Sequence, residues 1–167
     1  MLAIVLLIIG ILSRFVVHLP NFTPVIAIAL MGGIYLNKRI AIVLPVVLLF
    51  VSDAVMGFHN TMPFTLGSVA LIAAVGLWAR QHKSFKTVLG SSIFSSFLFF
   101  LITNFGVWLV SGMYSHDAPG LSMCFTLAIP YFRNELASTV IYSALFYAAY
   151  ELIAAKIKNT RFANAVL

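Results

Sequence analysis

Arg14, His18, Asp53, His59, Arg133 and Glu135 are ionisable residues set into an otherwise apolar chain, with Asn21, Asn104, Trp108 and Asn134 as polar companions. Their spacing places them in clusters. Arg14 and His18 are four apart and share a helix face, and Asn104 and Trp108 repeat that spacing. Asn21 sits in the turn Pro20-Asn21-Phe22-Thr23-Pro24, Asp53 precedes Gly57-Phe58-His59-Asn60, and Arg133 to Glu135 follow Tyr131-Phe132. The chemistry such a set supports is recognition. Arg14 and Arg133 would hold anionic groups through charge-assisted hydrogen bonds. Asp53 and the amides would fix orientation, and Trp108 would offer a stacking face. A purely structural reading stands beside this for any single residue: Arg14 pairs with Asp53 or Glu135, while His18 and Trp108 mark an interface. Taken together, two cations, two acids, amides, two histidines and a tryptophan exceed what anchoring needs, and the set favours a pocket.

Bond-breaking chemistry finds no foothold. The chain contains neither a Walker A loop nor an H-E-x-x-H pair, and no serine sits in a nucleophile elbow. His18, His59, His82 and His116 have no metal-binding spacing, and His82 lies among basic loop residues. Cys124 is the only cysteine, which excludes an internal disulfide and reads most simply as a small apolar filler. The expectation is a protein that is not an enzyme and needs no cofactor or metal.

The elements that must position these residues are membrane helices. The chain is 62% hydrophobic and 8% charged, against about 25% charged residues in a soluble domain. Eight of its ten basic residues fall in three gaps: Lys38 and Arg39; Arg80, Lys83 and Lys86; Lys156, Lys158 and Arg161. Each gap follows an even-numbered apolar segment, as the positive-inside rule requires of a six-helix protein with both ends in the cytoplasm. The net charge of +6 therefore points to orientation and anionic lipid, not to nucleic acid. The predicted segments of this single all-helical membrane domain are 1–19, 22–36, 40–58, 62–79, 88–110 and 136–155. The second is either a short helix or a partly extended approach to one. Residues 121–132 form a further apolar stretch, read as an outer interfacial or re-entrant piece. The apolar start lacks a basic leader and a cleavage site, so a cleaved signal is not expected. With this topology nearly every unusual polar residue lies at the outer ends of the segments; Glu151 is the exception. Ser91/Ser95, Ser92/Ser96, Ala70/Ala74 and Ala144/Ala148 are small pairs spaced for close helix packing.

The run from Pro20 to Phe58, together with "LITNFGVW" at 101–108 and "YFRNE" at 131–135, resembles the substrate-binding S components of energy-coupling-factor vitamin transporters. Within these it is similar to a family of small bacterial membrane proteins related to the cobalamin-type members. The resemblance spans about residues 10–153. It implies a subunit of the bacterial inner membrane that captures a vitamin or related micronutrient from outside, with a corrinoid as one candidate. ATP hydrolysis would belong to a separate energising module. Two departures accompany it. The first segment lacks the Ala-x-x-x-Ala stripe by which S components dock, leaving Ala144/Ala148 or independent action as alternatives. The region matching the cobalt-ligating cysteine reads Gly57-Phe58-His59-Asn60-Thr61, so either His59 replaces the cysteine or the ligand is not a corrinoid. The competing function is a membrane scaffold or assembly subunit with no small-molecule ligand.

Overall fold

The structure, a computed structural model, describes residues 2–15 and 19–157. It is all-helical among these residues: α1 (Leu2–Phe15), α2 (Val25–Tyr35), α3 (Lys38–Met56), α4 (Met62–Ala79, running into a 3-10 turn at Arg80–His82), α5 (Phe85–Val110) and α6 (Ala118–Ile157). Four of them, α3 to α6, are long and apolar enough to cross a membrane. Large apolar side chains such as Phe50, Val55, Trp78, Phe94 and Leu145 face outward, as lipid contact demands.

Local chemistry fixes most helix starts. Asn37 accepts a hydrogen bond from the Ile40 amide and opens α3, and Ser84 accepts from Thr87 to open α5. Pro63 occupies the first turn of α4, where its missing N–H costs nothing. Before α6, Asp117 accepts from the Gly120 amide and the Ser115 hydroxyl. The Ser115 hydroxyl and then the Gly120 N–H hold the Asp117 carboxyl below its ordinary range.

The short α2 is the core of the bundle. All ten residues from Val25 to Ile34 are buried, so apolar side chains surround it on every face. It packs against α3, α4, α5 and α6. Its contact with α4 is backbone to backbone: a Cβ on Gly33 would lie 2.6 Å from Gly76 Cα, and one on Gly76 would lie 2.8 Å from Gly33 Cα. At 11 residues α2 is only about 16 Å long, far short of a hydrocarbon core of about 30 Å. The irregular segment 19–24 precedes it, matching the partly extended form of the second segment. Phe22 N–H closes a turn onto the Leu19 carbonyl, with Pro20 second and Asn21 third in the turn. Asn21 adopts φ 58°, a left-handed conformation that asparagine tolerates.

Two elements differ from the expected segments. Residues 121–132 are not set apart from 136–155; both belong to the 40-residue α6, in which Pro130 is an interior residue. The outer piece is thus helical and continuous with its neighbour. It packs along α5, where Phe100 meets Phe125 and Phe132 at ring-centroid distances of 5.4 and 4.6 Å. At about 60 Å, α6 is twice the bilayer core, so part of it extends beyond the hydrocarbon or lies strongly tilted. The first segment ends as a helix at Phe15, and its expected continuation through 16–18 lies outside the described residues.

The basic gaps gather at one end of the bundle. Arg80 donates to the carbonyls of Gly33, Ile34 and Leu36, capping α2. Lys83 pairs with Glu151 at 2.8 Å, and the Tyr35 hydroxyl donates to the same carboxylate at 2.8 Å. Glu151, the sequence's exception, thereby ties α6 to α2 and to the α4–α5 turn. Lys158 and Arg161 lie outside the described residues.

Candidate ligand-binding site

At the opposite end, where α1 and α3 stop and α4 begins, the helices diverge around a cavity of about 450 Å³. Its walls come from α1 (Arg14, Phe15), the 19–24 segment (Leu19, Pro20, Asn21, Thr23), α2 (Val25, Ile26) and α3 (Leu49, Asp53, Met56). His59 of the α3–α4 turn, Thr65 of α4, Phe99 of α5 and Glu135 of α6 complete it. Irregular backbone within an apolar bundle is tolerated where it lines a cavity, and 19–24 does so here.

Asp53 is the hub of the polar wall. Gly57 ends α3 by sending its N–H to the Asp53 carbonyl, which leaves the Asp53 side chain on the last full turn, 3% exposed. One oxygen accepts from Arg14 Nη2 at 2.6 Å. The other lies 3.5 Å from His59 Nε2, and His59 Nδ1 is in turn 2.7 Å from the Thr61 hydroxyl. Arg14 is therefore already neutralised, and its expected role as the holder of a ligand anion gives way to an internal ion pair. Arg14 Nε is buried and has no acceptor among the described residues.

Glu135 also lines the cavity and is 6% exposed. Among the described residues its Oε1 has no hydrogen-bond partner. One turn further along α6, Ser138 donates to the Glu135 carbonyl at 2.8 Å and approaches the Thr23 carbonyl at 3.2 Å, fastening α6 to the cavity's irregular wall. Thr139 and Ser143 continue the Glu135 face of α6 and are fully buried without hydrogen-bond partners among the described residues, as are Ser95 and Ser96 of α5.

Of the ten site residues named from sequence, the structure brings Arg14, Asn21, Asp53, His59 and Glu135 together on this cavity. Asn104, Trp108, Arg133 and Asn134 do not line it. The Asn104 amide donates to the Phe100 carbonyl within its own helix. Trp108 Nε1 donates to the Ser115 carbonyl and braces the α5–α6 turn. Arg133 is exposed. Asn134 donates to the Pro20 carbonyl from behind the cavity wall. The physical reason is that these four satisfy their hydrogen bonds locally or face away, because α5 and α6 turn other residues inward. His18 lies outside the described residues. Thr65 and Phe99 were not foreseen: a lone threonine in a helix start and one phenylalanine among 15 carry no distinguishing signal.

Cys124 is buried, lies 3.4 Å from the Asn104 carbonyl and does not line the cavity. Among the described residues no three of His, Cys, Asp or Glu come together as metal ligands. No curated protein and no solved structure matches the chain. The model of DUF6580, a family of unknown function, matches residues 1–162, and the chain belongs to that family.

Proposed function

We propose that this protein is a multi-pass membrane subunit that captures a small micronutrient-like solute in the cavity between α1, α3 and α6. The observation that carries the reading is Glu135: a buried carboxyl facing a cavity with an unpartnered oxygen. Buried polar groups are normally satisfied, and an ionisable group at membrane depth commonly marks a functional site. A scaffold with no ligand has no use for it.

The orientation follows from charge. Lys38, Arg39, Arg80, Lys83, Lys86 and Lys156 belong to the cytoplasmic side, and the cavity then opens outward. In this arrangement α1, and α2 preceded by 19–24, complete six passages of the chain, with both termini cytoplasmic. The resemblance to the S components of vitamin transporters supports the same direction of capture. It also supports a separate ATP-hydrolysing partner, with catalysis outside this chain. The ligand class extends to vitamins and related micronutrients. The corrinoid option loses its metal-ligand argument in part, since Cys124 does not line the cavity and His59 is engaged with Asp53 and Thr61.

Purification in mild detergent followed by mass spectrometry of released small molecules tests the proposal. The wild type should carry a solute that Thr65→Trp protein, its cavity filled, lacks at equal folded yield. Identical small-molecule content in both proteins would refute capture at this cavity.

A further inference from the structure

The cavity's two basic side chains, Arg14 and His59, are both turned to Asp53, with His59 Nε2 3.5 Å from its second oxygen. Arg14 and Asp53 neutralise one another at 2.6 Å. Glu135 then remains as a further carboxyl on the same wall. Arg133, two residues earlier on α6, is exposed and outside the cavity. The amino end of α2 contributes only a partial positive charge of about one half. Glu135 has neither basic group as its partner, and its Oε1 lacks any donor among the described residues. The complementary orphan is Arg14 Nε, a buried donor with no acceptor among the described residues. The rest of the wall is largely apolar, with Phe15, Leu19, Ile26, Leu49, Met56 and Phe99.

These features together describe a ligand. We propose that the solute is a small organic cation: a protonated amine or amidinium that donates to Glu135, carried on an apolar ring-bearing body, with an acceptor atom for Arg14 Nε. The inference rests on the capture reading above and assigns its substrate class. A charge-assisted N–H···carboxylate bond to a buried side chain supplies both affinity and selection by charge. An anionic solute would meet Asp53 and Glu135, with Arg14 and His59 both already engaged by Asp53. A volume of about 450 Å³ accommodates a bicyclic body with a short chain.

Three probes of one shape decide the matter: tryptamine, tryptophol and indole-3-acetate, which end in ammonium, hydroxyl and carboxylate. Binding to the purified, ligand-stripped protein is followed by the shift in melting temperature and by isothermal titration. Tryptamine should bind on the order of tenfold more tightly than tryptophol, and indole-3-acetate should bind least. Glu135→Gln should remove the preference for tryptamine while retaining tryptophol. If tryptophol or indole-3-acetate binds as well as tryptamine, or if Glu135→Gln keeps the preference, the cation assignment is wrong and the cavity reading survives. If none of the three binds wild type, the cation assignment is wrong; the capture reading falls as well only if wild type and Thr65→Trp carry identical small-molecule content. Should Glu135→Gln fail to accumulate, the wild-type ranking alone still decides.

Discussion

Arg14 Nη2 and Asp53 Oδ1 lie 2.6 Å apart, joining the end of α1 to the end of α3 across 39 residues of chain. Asp53 is 3% exposed and Arg14 20% at their side chains. Each is the other's counter-charge inside an apolar bundle. Arg14→Met or Asp53→Asn alone should cost on the order of 3 kcal/mol, because each leaves an uncompensated buried charge. The double variant should lose less than the sum by more than about 1 kcal/mol. Unfolding in mixed micelles measures this cycle; strict additivity would show the two residues are not coupled.

The α2–α4 crossing should not tolerate a methyl group. Gly33→Ala and Gly76→Ala each drive a Cβ into facing backbone, at 2.6 Å from Gly76 Cα and 2.8 Å from Gly33 Cα respectively. Both should destabilise by about 1–3 kcal/mol or more. Gly90→Ala meets nothing within 4 Å and should be neutral, or stabilising by up to about 1 kcal/mol. Melting temperatures of the three variants in one detergent make the comparison. Equal effects at all three positions would mean the helices are not in backbone contact.

Much of this architecture is legible in the chain, and the gaps have physical causes. The α4 boundaries follow from Pro63 and the basic turn after Ala79, and the kinked approach to α2 follows from Pro20-Asn21-Phe22-Thr23-Pro24. The fusion of 121–132 with 136–155 into one helix was not legible. The apolar stretch 121–132 is too short to span alone and the polar run Arg133-Asn134-Glu135 separates it from the next, whereas proline can sit inside a helix whose neighbours satisfy its freed carbonyls, as Pro130 does. The pairing of Arg14 with one of two acids was expected, and geometry selects Asp53. The amides are the weak point of sequence reasoning. Asn104 and Asn134 carry no charge to betray their partners, and both bond to backbone carbonyls. Arg80 contributed only its charge to the sequence argument, although its guanidinium caps α2.

That cap has a separable chemistry. Arg80 Nε lies 3.0 Å from the Ile34 carbonyl and Nη2 lies 2.6 Å from that of Gly33. A lysine keeps the charge that orients the helix yet cannot fork across several carbonyls. Arg80→Lys should preserve topology and expression but lower stability by about 1–2 kcal/mol. Unchanged stability would reduce Arg80 to an orientation signal.

Asn104→Leu and Arg133→Ala should leave the co-purified solute at wild-type occupancy, since neither side chain lines the cavity. Mass spectrometry of the two variants beside wild type measures it. Selective loss of the solute, with folded yield maintained, would extend the site beyond the cavity described here.

The most direct measurement is protection of a thiol placed in the cavity wall. In a Cys124→Ala background, Thr65→Cys puts a near-isosteric reactive group on the lining, and Lys83→Cys places one at the opposite, basic end. Intact cells and inverted vesicles are treated with a membrane-impermeant maleimide. The account predicts that Thr65→Cys labels from outside only, that Lys83→Cys labels from inside only, and that the small-molecule fraction of a cell extract slows labelling at Thr65→Cys alone. Labelling of Thr65→Cys from the cytoplasmic side, or labelling from outside at a rate no solute fraction alters, would contradict an outward-facing capture site.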